Sequence, residues 1–345
     1  MVFARCEVAL KLGGTAVTDA VLKQISSIDV VESLDELDAM TVRFDLPATA
    51  AADVLALAAP GKTYELTLTN ADGTVTAAGD VMESSIQFEA TGWWSISLRG
   101  LESLHRLRGA QTPAVYTGAP SSYLGTIARR HSLGADIQGV DGYPANVLQA
   151  DEDDAHFVKR LAHEWNYSAR VVAGKLTFAR RHVAAGTKIT LTLSQVTSLQ
   201  MDTSLYGTVT KVTVCGDHYV TPELITFSAE KAKLKKISGG DDAITLRTTA
   251  FGARVEVIHN SMATTVSLAT ALATARLQKA AETLVSGRLR TSARPDARAG
   301  ALVEVSDAPW PTGGPFLMKS VRHLLDPDGS FTEIELLSDS LPTAP

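Results

Sequence analysis

Apolar residues recur at every second position in two separate parts of the chain, and a part with helical period lies between them. Before about residue 100 the alternating runs are Val42, Phe44 and Leu46, then Tyr64, Leu66 and Leu68, then Trp94, Ile96 and Leu98. Successive side chains of a strand point to opposite faces, so this is the period of half-buried strands. Asn70-Ala71-Asp72-Gly73 separates the second run from Thr74-Val75, and Asn, Asp and Gly tolerate the positive φ of hairpin turns. The first hundred residues read as a meander or small barrel.

The period then changes. Pro120 and Ser121 precede Tyr123, Leu124, Ile127, Ala128 and His131 at three-to-four-residue spacing, which predicts a short helix. A second helix is marked by Asp151, Glu152, Asp153 and Asp154, whose charge suits a helix start, and by the stripe Val158, Leu161, Ala162 and Trp165, widened by Phe157. Residues 170–178 read as two short strands joined at Ala173-Gly174, with the second helix packed on this hairpin. These elements make a compact α+β insert.

Strand period returns with Ile189, Leu191 and Leu193, then Val212 and Val214, Val303 and Val305, and Ile334 and Leu336. Among these runs an Ala-rich segment, 264–284, places Val266, Ala269, Ala273, Leu277, Ala280 and Leu284 on one face of the longest helix expected. Residues 228–242, with Lys231, Lys233, Lys235 and Lys236, lack apolar period and read as an exposed, mobile loop. Asp326-Pro327-Asp328-Gly329 marks a turn before the last strand, and 341–345 reads as a frayed tail.

At 345 residues the chain exceeds what one core usually serves. The expected architecture is mainly β with an α+β insert: a first β-barrel domain over 1–112, the insert over 113–185, and a second β-barrel domain over 186–340 that includes the long helix. With 45% hydrophobic and 20% charged residues the chain is expected to fold. No run approaches the ~18 apolar residues of a membrane span, and the start, Met1 to Cys6, has no basic region leading into an apolar one. We therefore expect neither an export signal nor membrane anchoring. The net charge of -6 disfavours stable nucleic-acid binding and leaves proteins as the expected partners. Cys6 and Cys215 have no partner spacing and read as buried thiols.

Each local hint of chemistry lacks a part. His163-Glu164-Trp165-Asn166-Tyr167 opens like a zinc-protease helix, but Tyr167 stands where the second histidine is needed. Asp151 to Asp154 with His156 lack the alternating ligands and central glycine of a calcium loop. Gly61-Lys62-Thr63 ends like a phosphate loop, yet Ala56 replaces its first glycine and a strand follows. Cys215, Asp217 and His218 are strand neighbours that diverge rather than converge on a substrate. Arg288, Arg290, Arg294 and Arg298 have no interleaved aromatic to stack on bases, so a solvated or partner-facing segment is expected. Of Trp93, Trp94, Trp165 and Trp310, the period assigns Trp94 and Trp165 to the core. No cofactor, metal or catalytic residue is expected.

Residues 123–178 resemble the signature region of the phage late control protein D family, the baseplate hub shared by contractile phage tails and type VI secretion spikes. The resemblance lies in residues 127–131, in 147–162, and in Gly174-Lys175-Leu176-Thr177-Phe178. Gly287-Arg288-Leu289-Arg290, Arg298-Ala299-Gly300, 321–323 and 331–336 are similar to the family's last barrel strands. The resemblance nominates Gln149, Asp151, Glu152, Phe157, Arg160 and Leu161 as a structural motif, with Ala155 and His156 departing from the usual pattern.

The resemblance implies two related barrels per chain, so that a homotrimer presents a six-barrel ring to a hexameric tail tube and adapts it to a trimeric central spike. It further implies tube, spike, wedge and tape-measure proteins as partners, assembly in the bacterial host cytoplasm, and a final place in the tail baseplate. Longer members continue into a spike, whereas this sequence stops after the hub region, so a separate spike protein and a phage or tailocin are expected. The competing readings are a peptidoglycan-degrading tail enzyme, which needs a paired glutamate acid and second carboxylate in a cleft, and a hub or adaptor of a type VI-like or extracellular injection system.

Overall fold

The structure is a computed structural model that describes residues 2–3, 6–88, 92–109, 111, 113–181, 188–217, 224–260 and 263–344. The first region holds β1 (Val2–Phe3), β2 (Cys6–Leu12), β3 (Thr15–Ala16), α1 (Asp19–Leu22), β4 (Ile25–Ser33), β5 (Ala39–Pro47), α2 (Ala48–Leu57), β6 (Thr63–Thr69), β7 (Thr74–Phe88) and β8 (Trp93–Glu102). The alternation seen in the sequence is the burial pattern: Val42, Phe44, Leu46, Leu66, Leu68, Ile96 and Leu98 fill one core with residues of β2, α1 and α2. Asn70 closes the β6–β7 turn, its backbone N–H donating to the Gly73 carbonyl. The helix α2 was not anticipated. Its run of alanines favours helix, but two-residue alternation on both sides reads through it.

The insert holds β9 (Ala114–Thr117), α3 (Pro120–Arg130), β10 (Gly134–Ile137), β11 (Asn146–Gln149), α4 (Asp154–Trp165), β12 (Tyr167–Val172) and β13 (Lys175–Arg180). Both helices and the hairpin match expectation. Asp153 caps α4 by accepting from the His156 backbone N–H at 2.9 Å, which satisfies a donor the helix start leaves open. Ala173 and Gly174, both at positive φ, make the β12–β13 turn.

The last region holds β14 (Lys188–Leu191), β15 (Val196–Thr203), β16 (Lys211–Asp217), β17 (Leu224–Ala229), α5 (Ala243–Phe251), β18 (Val255–His259), α6 (Val266–Ala281), β19 (Val285–Ser292), β20 (Leu302–Val305), β21 (Phe316–Asp326) and β22 (Gly329–Ser338). Leu193 falls in a 3-10 turn after β14 and is exposed, so the third residue of that alternating run is not strand. Residues 230–241 are irregular and mostly exposed, as expected, but the segment is anchored at both ends: β17 runs to Ala229, Ser238 and Asp242 are buried, and Asp242 caps α5 while pairing with Lys231 at 3.4 Å and Lys236 at 3.3 Å. In the closing segment, Leu341 exchanges backbone hydrogen bonds with Gly240 and Asp241, and Trp310 Nε1 donates to the Pro342 carbonyl. Pro345 lies outside the described residues.

Among the described residues a fourteen-stranded sheet runs through both strand-rich regions in the order β1-β2-β6-β7-β8-β5-β4-β21-β22-β19-β15, with β3 on β2, β20 on β21 and β14 on β20. The antiparallel β4–β21 pairing, from Ser33 opposite Ser320 to Ile28 opposite Leu325, joins the two. Each side of this seam has its own core, the second built from β14, β19, β20, β21 and β22 around Val303, Phe316, Met318 and Ile334. A third core gathers α3, α4, α6 and the small sheets β9–β11, β10–β13–β12 and β17–β16–β18. Val212 and Val214 are strand residues, as their alternation predicts, and their side chains enter this central core with the buried face of α6. The protein is therefore mainly β with an α+β insert.

Candidate functional site

The nominated motif is a polar and aromatic knot rather than a pocket. Gln149, fully buried at the end of β11, accepts from the Tyr116 hydroxyl at 3.0 Å and donates to Asp154 Oδ1 at 2.9 Å and to the Glu152 carbonyl at 3.3 Å. Asp154 also receives Arg130 at 3.0 Å and His131 Nε2 at 2.8 Å, both from the end of α3. One carboxylate thus ties β11, α3 and α4 together, and Gln149 carries the link on to β9. Asp151 contributes its backbone: it takes φ 55° in the turn before α4, and its carbonyl accepts from Gln111. Aspartate tolerates that left-handed conformation better than most side chains.

Arg160 brackets the same turn. Its guanidinium pairs with Glu152 at 2.6 Å, reaches Glu164 at 3.2 Å and the Leu148 carbonyl at 3.0 Å, and lies over the Phe157 ring. Phe157 and Leu161 are buried in the central core. The aromatic neighbours of Phe157 are Tyr116 and Tyr123, whereas Trp165 and Tyr167 are those that meet Phe178 of the hairpin. The ring's aromatic contacts therefore come from β9 and α3.

A second cluster, which the sequence does not reveal, locks the insert to both strand-rich regions. Arg170 of β12 pairs with Asp38 at 2.5 Å and with Glu32 of β4 at 3.3 Å, and donates to the Ala299 carbonyl at 3.4 Å. Glu32 also receives Arg298 at 2.8 Å. Burial would lower the Arg170 pKa, but the Asp38 and Glu32 charges outweigh it and raise it. Burial likewise opposes ionisation of Glu32, and the two arginines reverse that and hold its carboxyl low.

Glu102 sits at the edge of this cluster with no cation bonded to it. Burial and then the neighbouring Asp38 charge push its carboxyl up to about 7. Its two oxygens accept from the Val171 backbone N–H at 2.8 Å and the Asp38 N–H at 3.4 Å. A raised carboxyl can mark a general acid, but Glu102 is 2% exposed and both its oxygens serve the backbone. Its arrangement is that of a clamp.

The other nominated groups are dispersed. His163 meets Lys279, Glu164 meets Arg160, and the Tyr167 hydroxyl donates to the Gly139 carbonyl. Gly61 and Lys62 turn into β6, with a strand following as expected. Cys215 is a half-buried free thiol on β16, Cys6 is buried, and His218 lies outside the described residues. Among the described residues no group of three or more His, Cys, Asp or Glu is placed to hold a metal ion. The arginines 288, 290, 294 and 298 face Glu335, Glu333, Asp296 and Glu32 respectively, and Arg290 stacks on Phe331. No helix among the described residues is long and apolar enough to cross a membrane.

One exposed apolar surface lies at the far end of the β7–β8 hairpin. β6 pairs with β7 only from Thr74 to Asp80, while β8 continues along it to Phe88. Val81 still exchanges backbone hydrogen bonds with Gly61 and Lys62; beyond it no strand pairs the outer edge of β7 among the described residues, and Met82, Ile86 and Phe88, with Trp93 of β8, stand 44%, 50%, 59% and 47% exposed. Trp165 is buried and Trp94 half-buried against Phe88, while Trp93 and Trp310 are exposed.

No protein-family model and no curated protein matches the sequence. Solved structures do match its fold. A prophage MuSo2 43 kDa tail protein from Shewanella oneidensis superposes with TM-score 0.68 at 16% identity, covering 96% of this chain and 98% of that one. A tail protein from Neisseria meningitidis gives 0.65 at 12% identity, covering 97% of each chain. The E. coli c3393 protein, a type VI secretion component with structural similarity to T4 bacteriophage tail proteins gp27 and gp5, gives 0.60 at 13% identity over 92% of this chain and 74% of that one. The chain has the fold shared by these phage tail proteins and the type VI secretion component, in keeping with the resemblance carried by residues 123–178.

Proposed function

We propose that the protein is a structural, non-enzymatic subunit of a phage-type tail, and within it the baseplate hub. The observation that carries this is the match of nearly the whole chain, both strand-rich regions and the insert together, to tail proteins of about the same length. In this reading the two barrels lie within 1–112 and 186–340, each with its own core and fused along β4–β21, while β16, β17, β18 and α6 of the second part join the central core of the insert. Three copies then offer six barrels to a hexameric tube on one side and a trimeric spike on the other. Wedge and tape-measure proteins complete the surroundings, and the chains assemble in the host cytoplasm before joining the virion.

Self-assembly draws support from the open β7 edge. An unpaired edge carrying exposed Ile86 and Phe88 is a template for another chain, and folded proteins usually blunt such edges with charge or cover. A closed ring would cover it. The Glu152–Arg160 and Asp154–Arg130 knots keep the insert rigid between the barrels. The test is to label purified tail particles with antibody against this chain. Label confined to the distal end of the tail supports the hub, and label along the tube or absent from particles contradicts it.

A further inference from the structure

Where α4, α6, β21 and the chain after β4 meet, a cleft of about 500 Å³ opens, within the roughly 300–1,000 Å³ range of pockets that take ligands. Four cationic side chains, Lys159, Arg181, Lys279 and Lys319, line it against two carboxylates, Asp35 and Glu282. This excess of positive charge stands in a protein whose net charge is -6.

The carboxylates satisfy two of the cations and leave the other two without one. Arg181 is 7% exposed, gives both terminal nitrogens to Asp35 and pairs through Nε with Glu282 at 3.7 Å. Lys319 pairs with Glu335 at 3.6 Å. Among the described residues, Lys159 Nζ reaches only the backbone carbonyls of Asp35 and Glu36, each at 3.3 Å. Lys279 Nζ is hydrogen-bonded to the His163 ring, a neutral acceptor. Burial, and then the Arg181 charge, lowers the Lys279 pKa; burial, and then the Lys279 charge, lowers that of His163. An anion entering the cleft would supply Lys159 and Lys279 with the counter-charge they lack. The floor is aliphatic, formed by Leu34, Ala162, Ala169 and Leu337. A hydrated inorganic oxyanion gains nothing from such a floor, whereas an acidic peptide buries an aliphatic side chain on it and aims a carboxylate at the cations.

We propose that this cleft is a docking site for an acidic segment of a partner protein, its carboxylate seated at the Lys159 and Lys279 ammonium groups and a neighbouring aliphatic side chain lying on Leu34 and Leu337. The inference rests on the cleft alone and not on the hub reading, so a chain that fails to trimerise leaves it intact.

The test uses the full chain and a fluorescent, end-capped Leu-Asp-Glu-Leu peptide, followed by anisotropy, with Leu-Asn-Gln-Leu and inorganic phosphate as comparisons. Expected are saturable binding of the acidic peptide alone, weakening with added salt, and a loss of about tenfold in Lys279→Gln. Lys319→Gln, at the cleft rim, serves as the second variant, and thermal melts show that both fold. Equal binding of the two peptides overturns the proposal, as does no saturable binding, or affinity unchanged in both variants. Binding of phosphate but not peptide also overturns it and assigns the cleft to small anions.

Discussion

Gln149 and Asp154 face each other across 2.9 Å inside the insert, an amide donating to a carboxylate that Arg130 and His131, at the end of α3, also bond. The neutral amide matters because a second carboxylate at that distance would oppose Asp154 in a buried site. Gln149→Glu is predicted to destabilise the protein by roughly 2 to 4 kcal/mol at pH 7. The penalty should shrink as pH falls toward 4, where the new carboxyl takes up a proton and can donate. Urea unfolding at the two pH values checks this.

Phe157 is fully buried between Tyr116 and Tyr123. Phe157→Ala removes the ring and leaves a cavity, and should cost about 3 to 5 kcal/mol. An unchanged urea midpoint would contradict the packing of α4 against α3 and β9.

Arg170 holds two carboxylates from the first strand-rich region. Arg170→Met keeps much of the side-chain volume but leaves Glu32 and Asp38 short of a counter-charge, and should cost about 3 to 5 kcal/mol. Calorimetric unfolding reads the loss. A melt equal to wild type would show that the junction does not depend on this ion cluster.

Glu102 gives the fold a specific pH dependence. Its folded pKa lies near 7, above the usual 4.5. The folded state therefore holds this proton between those values while the unfolded state has released it, and the contribution to stability falls as pH rises from 4.5 to 7. Glu102→Gln removes that term and keeps an oxygen for the Val171 N–H. Relative to wild type it should gain about 2 to 3 kcal/mol between pH 5 and pH 8. Parallel unfolding curves at all pH values would contradict it.

The strands and the two insert helices were legible because their information is local: Phe44 or Leu66 needs only its second neighbours to announce a buried face. The motif was legible in part. Asp153 and Asp154 signal a helix start by position, but the reach of Asp154 to Arg130 spans separate elements. Arg170 was hidden for the same reason, since its partners Glu32 and Asp38 lie far away in sequence and nothing in their spacing links them. The polar run at 228–242 was legible as an exposed loop, but its anchoring was not, because Ser238 bonds Ser340, far away in sequence. The membership of Val212 and α6 in the central core follows from how the chain crosses over, which periodicity does not encode.

The most direct test of the central claim is the mass of the purified chain in light scattering over a wide concentration range, alone and with a cognate spike protein. The hub account predicts a particle of three chains, stabilised by the spike, and its loss when Ile86→Lys and Phe88→Lys place charge on the open β7 edge. A monomer under all conditions, with and without the spike, would contradict it.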